Sequence, residues 1–249
     1  MTTKIQSKYI YAFISEDIAI DNDLTGIDDK PVYTITYEKI IVVVSDCSIK
    51  KIRGQRKNIA AHHKVLLYLM NKTTPLPVVF GIISNTTKDI KDFISKNKKQ
   101  LLSSLKNLHG KAEMTLKVSY AVPNIFEYFI EKYPDLRKMR DVFFKSRKNV
   151  SANDKIELGK LFNKLLIQER DMHANTVEKN MAKHCDDIKF LTCRDERLVL
   201  NIVCLIEKNR EKEFEDAIYQ VANKFDDNFQ FDYNGPFIPH NFTELNIDI

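Results

Sequence analysis

The spacing of apolar residues changes repeatedly along this chain, and that restricts the fold to layers of sheet and helix. Ile40-Ile41-Val42-Val43-Val44 is an unbroken apolar run, the pattern of a strand covered on both faces. Ile90, Phe93, Ile94, Leu101, Leu102, Leu105 and Leu108 instead recur at helical spacing, with Lys91, Lys96, Lys98 and Lys99 on the other side. Met114, Leu116, Val118 and Tyr120 then alternate with Glu113, Thr115, Lys117 and Ser119, which makes a strand with one buried and one wet face.

Extending this reading gives an α+β chain of two domains. In residues 1–122 a strand over Tyr9–Ile14 is followed by an acidic, turn-rich loop and the strand at Ile40. A helix from about Gln55 to Met70 turns Ile59, Leu66 and Met70 inward, and a third strand covers Val78 to Ile83. The order β, β, α, β, α, β is close to a ferredoxin-like antiparallel sheet with helices. Residues 123–249 make the second α+β domain. Asn124 caps a helix that Pro134 breaks, and a basic helical piece follows. A long helix to about Lys183 then turns Leu158, Leu161, Phe162, Leu165, Leu166, Met172 and Val177 inward. Two strands, a helix carrying Phe214, Ala217, Ile218 and Val221, and an alternating Phe229, Phe231, Tyr233 edge strand lead into an extended tail, residues 234–249.

Several function classes find no support. None of the six glycines belongs to a GxGxxG or P-loop pattern, so no phosphate cradle is expected. The four cysteines form no CxxC, and Cys47 and Cys204 sit in apolar runs as small hydrophobes. His184-Cys185 with Cys193 lacks the tight, repeated spacing of a structural zinc site. Asp21-x-Asp23-x-Thr25-Gly26 opens like a calcium loop, but Val32 stands where the bidentate Glu belongs. His62 and His63 point about 100° apart on a helix, so His62 reads as a packed or hydrogen-bonded residue. Ser45-Asp46-Cys47-Ser48 has no glycine elbow. The expectation is a non-enzyme with no cofactor and no metal.

The formal net charge of +5, from 39 basic and 34 acidic residues, needs no nucleic-acid partner. No apolar run approaches the ~18 residues of a membrane span, and the first residues contain no apolar leader, so a cytoplasmic chain with no membrane partner is expected. The rival function is a nucleic-acid-binding module. Arg137, Lys138, Arg140, Lys145, Arg147 and Lys148 interleave with Phe143-Phe144, which could stack bases over a phosphate-binding surface. A solvated face with both rings in the core is the preferred reading of 137–148. A third class, a small-molecule sensor or enzyme on the same scaffold, would need a deep pocket with convergent polar groups, and the sequence offers no constellation to line one.

The most distinctive segment is Asp232-Tyr233-Asn234-Gly235-Pro236-Phe237-Ile238-Pro239-His240-Asn241-Phe242. It resembles the GPWPPYNF signature of the gas vesicle protein family GvpL/GvpF. Gly235-Pro236, Pro239 and Asn241-Phe242 are in register, while Phe237, Ile238 and His240 replace Trp, Pro and Tyr. Tyr9 to Ile14 with the Gly26-Ile27-Asp28-Asp29 turn, His62 with Val65-Leu66, and Leu76-Pro77-Val78-Val79-Phe80-Gly81 are similar to further family stretches. Val79 stands where the LPxRFG pattern has Arg. Gly110-Lys111-Ala112-Glu113 resembles the family's G-x-x-E strand.

The resemblance implies an accessory protein of gas vesicle assembly, chaperone-like or a minor shell component, with a fold of two α+β domains. It implies contacts with the gas vesicle shell protein and other accessory proteins, and leaves self-association open. The shell protein is small and very apolar, so a helper needs apolar or strand-edge surface to hold it. The residues suited to that are Phe229, Phe231 and Tyr233 of the edge strand, and Pro236, Phe237, Ile238, Pro239 and Phe242 of the proline-stiffened tail. The competing expectation is that the tail packs on its own domain or straps the two together.

Overall fold

A β-bulge in the first strand sets the inner geometry of the N-terminal half. The computed structural model describes residues 7–48, 51–144 and 150–243. β1 (Ser7–Ile14) pairs antiparallel with β3 (Ile40–Cys47), and the register slips between Ile10 and Ala12. The extra residue is Tyr11. Because strand side chains alternate, the slip lets Tyr9, Tyr11, Ala12 and Ile14 share one apolar cluster, while Phe13 faces the other way. β2 (Val32–Tyr37) pairs with β3 through a tight turn in which Glu38 and Lys39 both take positive φ, 50° and 68°. This strand is an addition to the sequence expectation.

The expected strand over 78–83 is split. β4 (Leu76–Pro77) and β5 (Ile83–Ser84) each pair with β1, giving the sheet order β2-β3-β1-β4 with β5 also on β1. Pro77 has no N–H to extend a ladder. Gly81, at φ +98°, makes a turn that residues with a Cβ rarely adopt.

α1 (Arg56–Lys72) packs His62, Val65, Leu66 and Leu69 against the Tyr9, Tyr11, Ile41 and Val43 cluster. Ile59 is 49% exposed, correcting the inward placement expected for it. It lies in the first turn, ahead of the helix's first buried residue. α2 (Thr87–Leu108) buries the expected stripe except for Leu102, which is half-buried, and starts in a capping box: Asp89 N donates to Thr86 Oγ1 at 3.1 Å, and Thr86 N donates to the Asp89 carboxylate at 3.0 Å. Phe93 of α2 stacks on Phe13 at 6.1 Å, on the face of β1 away from the Tyr9 cluster.

The other half is built on a sheet of order β7-β8-β6-β9. Its strands are β6 (Lys111–Tyr120), β7 (Asp187–Phe190), β8 (Leu198–Glu207) and β9 (Phe229–Phe237). α3 (Ile125–Lys132) begins at the Asn124 cap, and α4 (Pro134–Phe144) follows directly. α5 (Ala152–Met181) and α6 (Glu211–Ala222) complete one apolar core containing Leu116, Val118, Phe129, Leu166, Val177, Ile202, Cys204, Phe214 and Ile218. Met172, expected inward, is exposed. At that turn the inward positions of α5 are polar, held by Glu169 and by His173 one turn later.

The chain divides into two compact units, residues 1–113 with 236–249, and residues 114–235. The sequence expectation drew one boundary at 122/123 and kept 234–249 with the second half. The divisions instead fall inside β6 and β9, and the tail joins the first unit because Ile238 finds an apolar cluster there.

Candidate protein-interaction site

β9 is the terminal strand of its sheet, and its residues alternate as a half-buried edge should. Phe229 packs against Tyr120 at 5.2 Å, His173 at 4.7 Å and Phe225 at 5.2 Å. Phe231 meets Phe225 at 5.0 Å, and Tyr233 donates its phenol proton to Glu215 at 2.5 Å. Gln230, Asp232 and Asn234 point to solvent. The three aromatic candidates are therefore partly committed to their own core, and what they leave open is the strand edge.

Past Gly235 the tail behaves differently residue by residue. Pro236 is exposed and Phe237 is 43% exposed. Ile238 is 3% exposed, within the cluster of Tyr9, Tyr11, Ile41 and Leu66. Pro239 is buried and Phe242 half-buried. A 3-10 turn over His240–Phe242 then aims Asn241 at Glu113. The Asn241 amide N–H donates to one oxygen of that buried carboxylate at 2.9 Å, and its side-chain NH2 donates to the other at 2.6 Å. A sequence carries no signal for this pair, since its members are 128 residues apart. Residues 244–249 lie outside the described residues. Of the tail candidates, Pro236 and Phe237 are free to meet a partner, while Ile238 and Pro239 are anchors. Val79 is also open, at 70% exposure.

Beneath the tail's anchor lies a buried polar network. Gly81 N–H donates to the Tyr9 hydroxyl at 3.1 Å, which directs the phenol proton to His62 Nδ1, 2.9 Å away. The Tyr11 hydroxyl accepts from Ile27 N at 2.8 Å and meets Ser45 Oγ at 2.8 Å. A Cβ on Gly26 would come within 1.8 Å of that hydroxyl, so the Gly26-Ile27-Asp28-Asp29 turn is shaped around Tyr11. Burial, with His240 and His63 nearby, holds His62 down at about 4, so it is neutral and accepts. Ser45 and His62 are thus structural partners of tyrosines.

A second network lies in the other unit. Glu169, 2% exposed on α5, receives Lys132 at 2.6 Å, His173 at 3.1 Å and the Tyr133 hydroxyl. Burial pushes its carboxyl up, but the bonds from His173, Lys132 and Tyr133 outweigh that and hold it at about 2. Its position on an inward helix face is the only trace of it in the sequence. Nearby, the Tyr120 hydroxyl is buried with no hydrogen-bond partner among the described residues.

The basic stretch of α4 is largely spent on its own surroundings. Arg137 donates to the carbonyls of Ile130 at 3.1 Å and Glu131 at 2.7 Å, capping the end of α3. Arg140 pairs with Asp141 at 2.9 Å and Glu127 at 3.5 Å. Phe143 packs on the core. Lys145, Arg147, Lys148 and the Phe144 side chain lie outside what is described. Among the described residues no three His, Cys, Asp or Glu side chains are placed to share a metal ion, and no helix is long and apolar enough to cross a membrane.

This antiparallel α+β architecture is that of the gas vesicle F proteins. The crystal structure of gas vesicle protein GvpF from Anabaena sp. PCC7120 superposes with a TM-score of 0.84 at 21% identity, covering 97% of this chain and 100% of that one. The GvpF structure from Microcystis aeruginosa gives 0.79 at 22%, with the same coverage. The family described as gas vesicle synthesis protein GvpL/GvpF matches residues 7–244, and the chain belongs to it. Gas vesicle protein F of Dolichospermum flosaquae is 24% identical over 240 residues, covering 95% of this chain and 97% of that one. Its counterpart from Haloferax mediterranei is 22% identical over 245 residues, covering 96% and 94%. The role is in forming gas vesicles, the structures that give cells buoyancy.

Proposed function

We propose that this chain is a non-enzymatic helper that holds the gas vesicle shell protein, and other gas vesicle proteins, through direct contacts during assembly. The observation that supports this most is the end of β9: a sheet-edge strand running into Phe237, an exposed ring whose neighbours on the C-terminal side are anchored. An edge strand offers unpaired main-chain groups to a partner strand, and an exposed apolar ring adds area worth about 25 cal/mol per Å² buried. An unassembled apolar subunit is the partner that such a surface suits. The work is cytoplasmic, at the vesicle, and needs no cofactor.

The test is co-purification of tagged full-length chain with the shell protein, comparing the native sequence, Phe237→Ser and a truncation after Tyr233. Capture is expected to fall sharply for Phe237→Ser while the fold, followed by circular dichroism, is retained. Undiminished capture by both variants would remove the tail and its ring from the reading.

A further inference from the structure

The open edge of the N-terminal sheet is complementary to itself. β2 is the last strand in the order β2-β3-β1-β4, and among the described residues no strand lies beyond it. Its residues Tyr33-Thr34-Ile35-Thr36-Tyr37 read the same in both directions, with Ile35 at the centre. The run contains no charged residue and no proline, and its register with β3 is unbroken from Val32 to Tyr37. It therefore lacks the charges, prolines and bulges that ordinarily keep an edge from pairing with another chain.

The main chain fixes which groups face outward. Val32 N–H donates to the Leu24 carbonyl at 3.0 Å, away from β3. Main-chain groups of an antiparallel strand alternate in direction, so Thr34 and Thr36 also turn their N–H and C=O outward, while Tyr33, Ile35 and Tyr37 bond to β3. Residues 24–26 cover the start of the edge, with Thr25 bridging Pro31, and the turn at Glu38 and Lys39 ends it. The stretch left open is 33–37, and its midpoint coincides with the centre of the palindrome.

Tyr33, Ile35 and Tyr37 share the face on which α2 lies. The Tyr33 hydroxyl donates to Asp46 at 2.8 Å, and Lys8 lies 5.5 Å from its ring. The Tyr37 hydroxyl accepts from Ser95 at 3.3 Å, and Lys91 lies 5.6 Å from its ring. Both rings are thus held by their own chain. Between them Ile35 is half-buried at the end of the cross-strand row Phe13, Val42, Ile35.

We infer that a second copy of this chain docks here, β2 against β2, antiparallel about a two-fold axis at Ile35. Thr34 of each copy then exchanges main-chain hydrogen bonds with Thr36 of the other. The cross-strand pairs are Tyr33 with Tyr37, Thr34 with Thr36, and Ile35 with Ile35, and aromatic and threonine pairs are favoured across strands. A two-fold contact needs a patch that matches itself, which a palindromic edge supplies and an unrelated strand has no reason to match. So short an edge falls well below the roughly 20–30 residues a side of a standard interface, so the dimer is weak and concentration-dependent. The inference rests on neither the tail nor capture of the shell protein.

The test is sedimentation of the full-length chain over a concentration series, for the native sequence, Thr36→Lys and Thr36→Pro. The native chain is expected to pass reversibly from monomer to dimer. Thr36→Lys places a charge on the edge, and Thr36→Pro removes an outward N–H that the β2–β3 ladder does not use; each should weaken dimerisation about tenfold or more while circular dichroism is unchanged. Ile35→Cys gives a positive readout. Across the axis its Cα atoms would lie about 4.5 Å apart, within disulfide reach. Diamide, which takes up both thiol hydrogens, should then link two copies, whereas the native chain with its four cysteines should not be linked. A native chain that stays monomeric up to about 1 mM, a dimer indifferent to both Thr36 variants, or Ile35→Cys that links no faster than native would each overturn the assignment. So would a monomer whose capture of the shell protein is lost in Thr36→Lys, since the edge would then belong to a foreign strand.

Discussion

Two adjacent tail residues are expected to differ sharply when cut back to alanine. Ile238 is 3% exposed and Phe237 is 43% exposed. Ile238→Ala removes about three buried methyl or methylene groups, each worth about 0.8 kcal/mol of transfer. With the cavity left behind, the loss reaches about 3 kcal/mol. Phe237→Ala gives up only part of a ring already half in water, for about 1 kcal/mol or less. Asn241→Ala should fall between them, since it withdraws a side-chain donor from the buried Glu113 carboxylate. The chain has no tryptophan, so far-UV circular dichroism in urea is the suitable readout. With a slope of about 3 kcal/mol per molar urea, Ile238→Ala should lower the midpoint by about 1 M and Phe237→Ala by about 0.3 M or less. Equal midpoints for the two variants would refute the division of the tail into anchor and free ring.

The buried networks give two further expectations. Burial lowers His62 from 6.5 to about 4, so the unfolded chain binds the extra proton first; stability is full above pH 6.5 and declines as the pH falls toward 4. Glu169, lowered from 4.5 to about 2, adds a second decline below pH 4.5; His62→Gln should shrink the upper step, to which His184 and His240, also lowered by burial, contribute, while leaving the lower one, as followed by urea midpoints against pH. Tyr120→Phe removes a buried hydroxyl that has no partner among the described residues, so it should leave the thermal midpoint unchanged or raise it; a clear fall would mean that the hydroxyl is bonded.

The strands and helices with strong periodicity were readable in the residues because burial imposes it. The Ile40–Val44 run, most of the α2 stripe and the Phe229, Phe231, Tyr233 edge appear as read, and β6 alternates from Met114 onward, but Glu113, expected on its wet face, is buried where it takes the two bonds from Asn241. Short-range signals did less well. β2 was missed because its two faces are only partly buried, and the 78–83 strand was overdrawn because apolar letters do not reveal the turn at Gly81. Met172 was drawn inward by its chemistry, while the inward turn belonged to Glu169, whose partners come from residues 132 and 133 and are invisible to local pattern. The tail letters identified the family, yet not which of its side chains would be anchored, because Ile238 and Asn241 are held by residues far away along the chain.

The return of residues 236–249 to the N-terminal unit has a consequence for synthesis. A ribosome releases chain in order, and domains ordinarily begin folding as they emerge. Here the contiguous stretch 114–235 can close upon itself while the earlier half still waits for Ile238, which is joined only after that stretch is complete. The first-made half is thus finished last, and a premature stop shortly before the tail would strand a chain whose second half is sound and whose first half is left ajar.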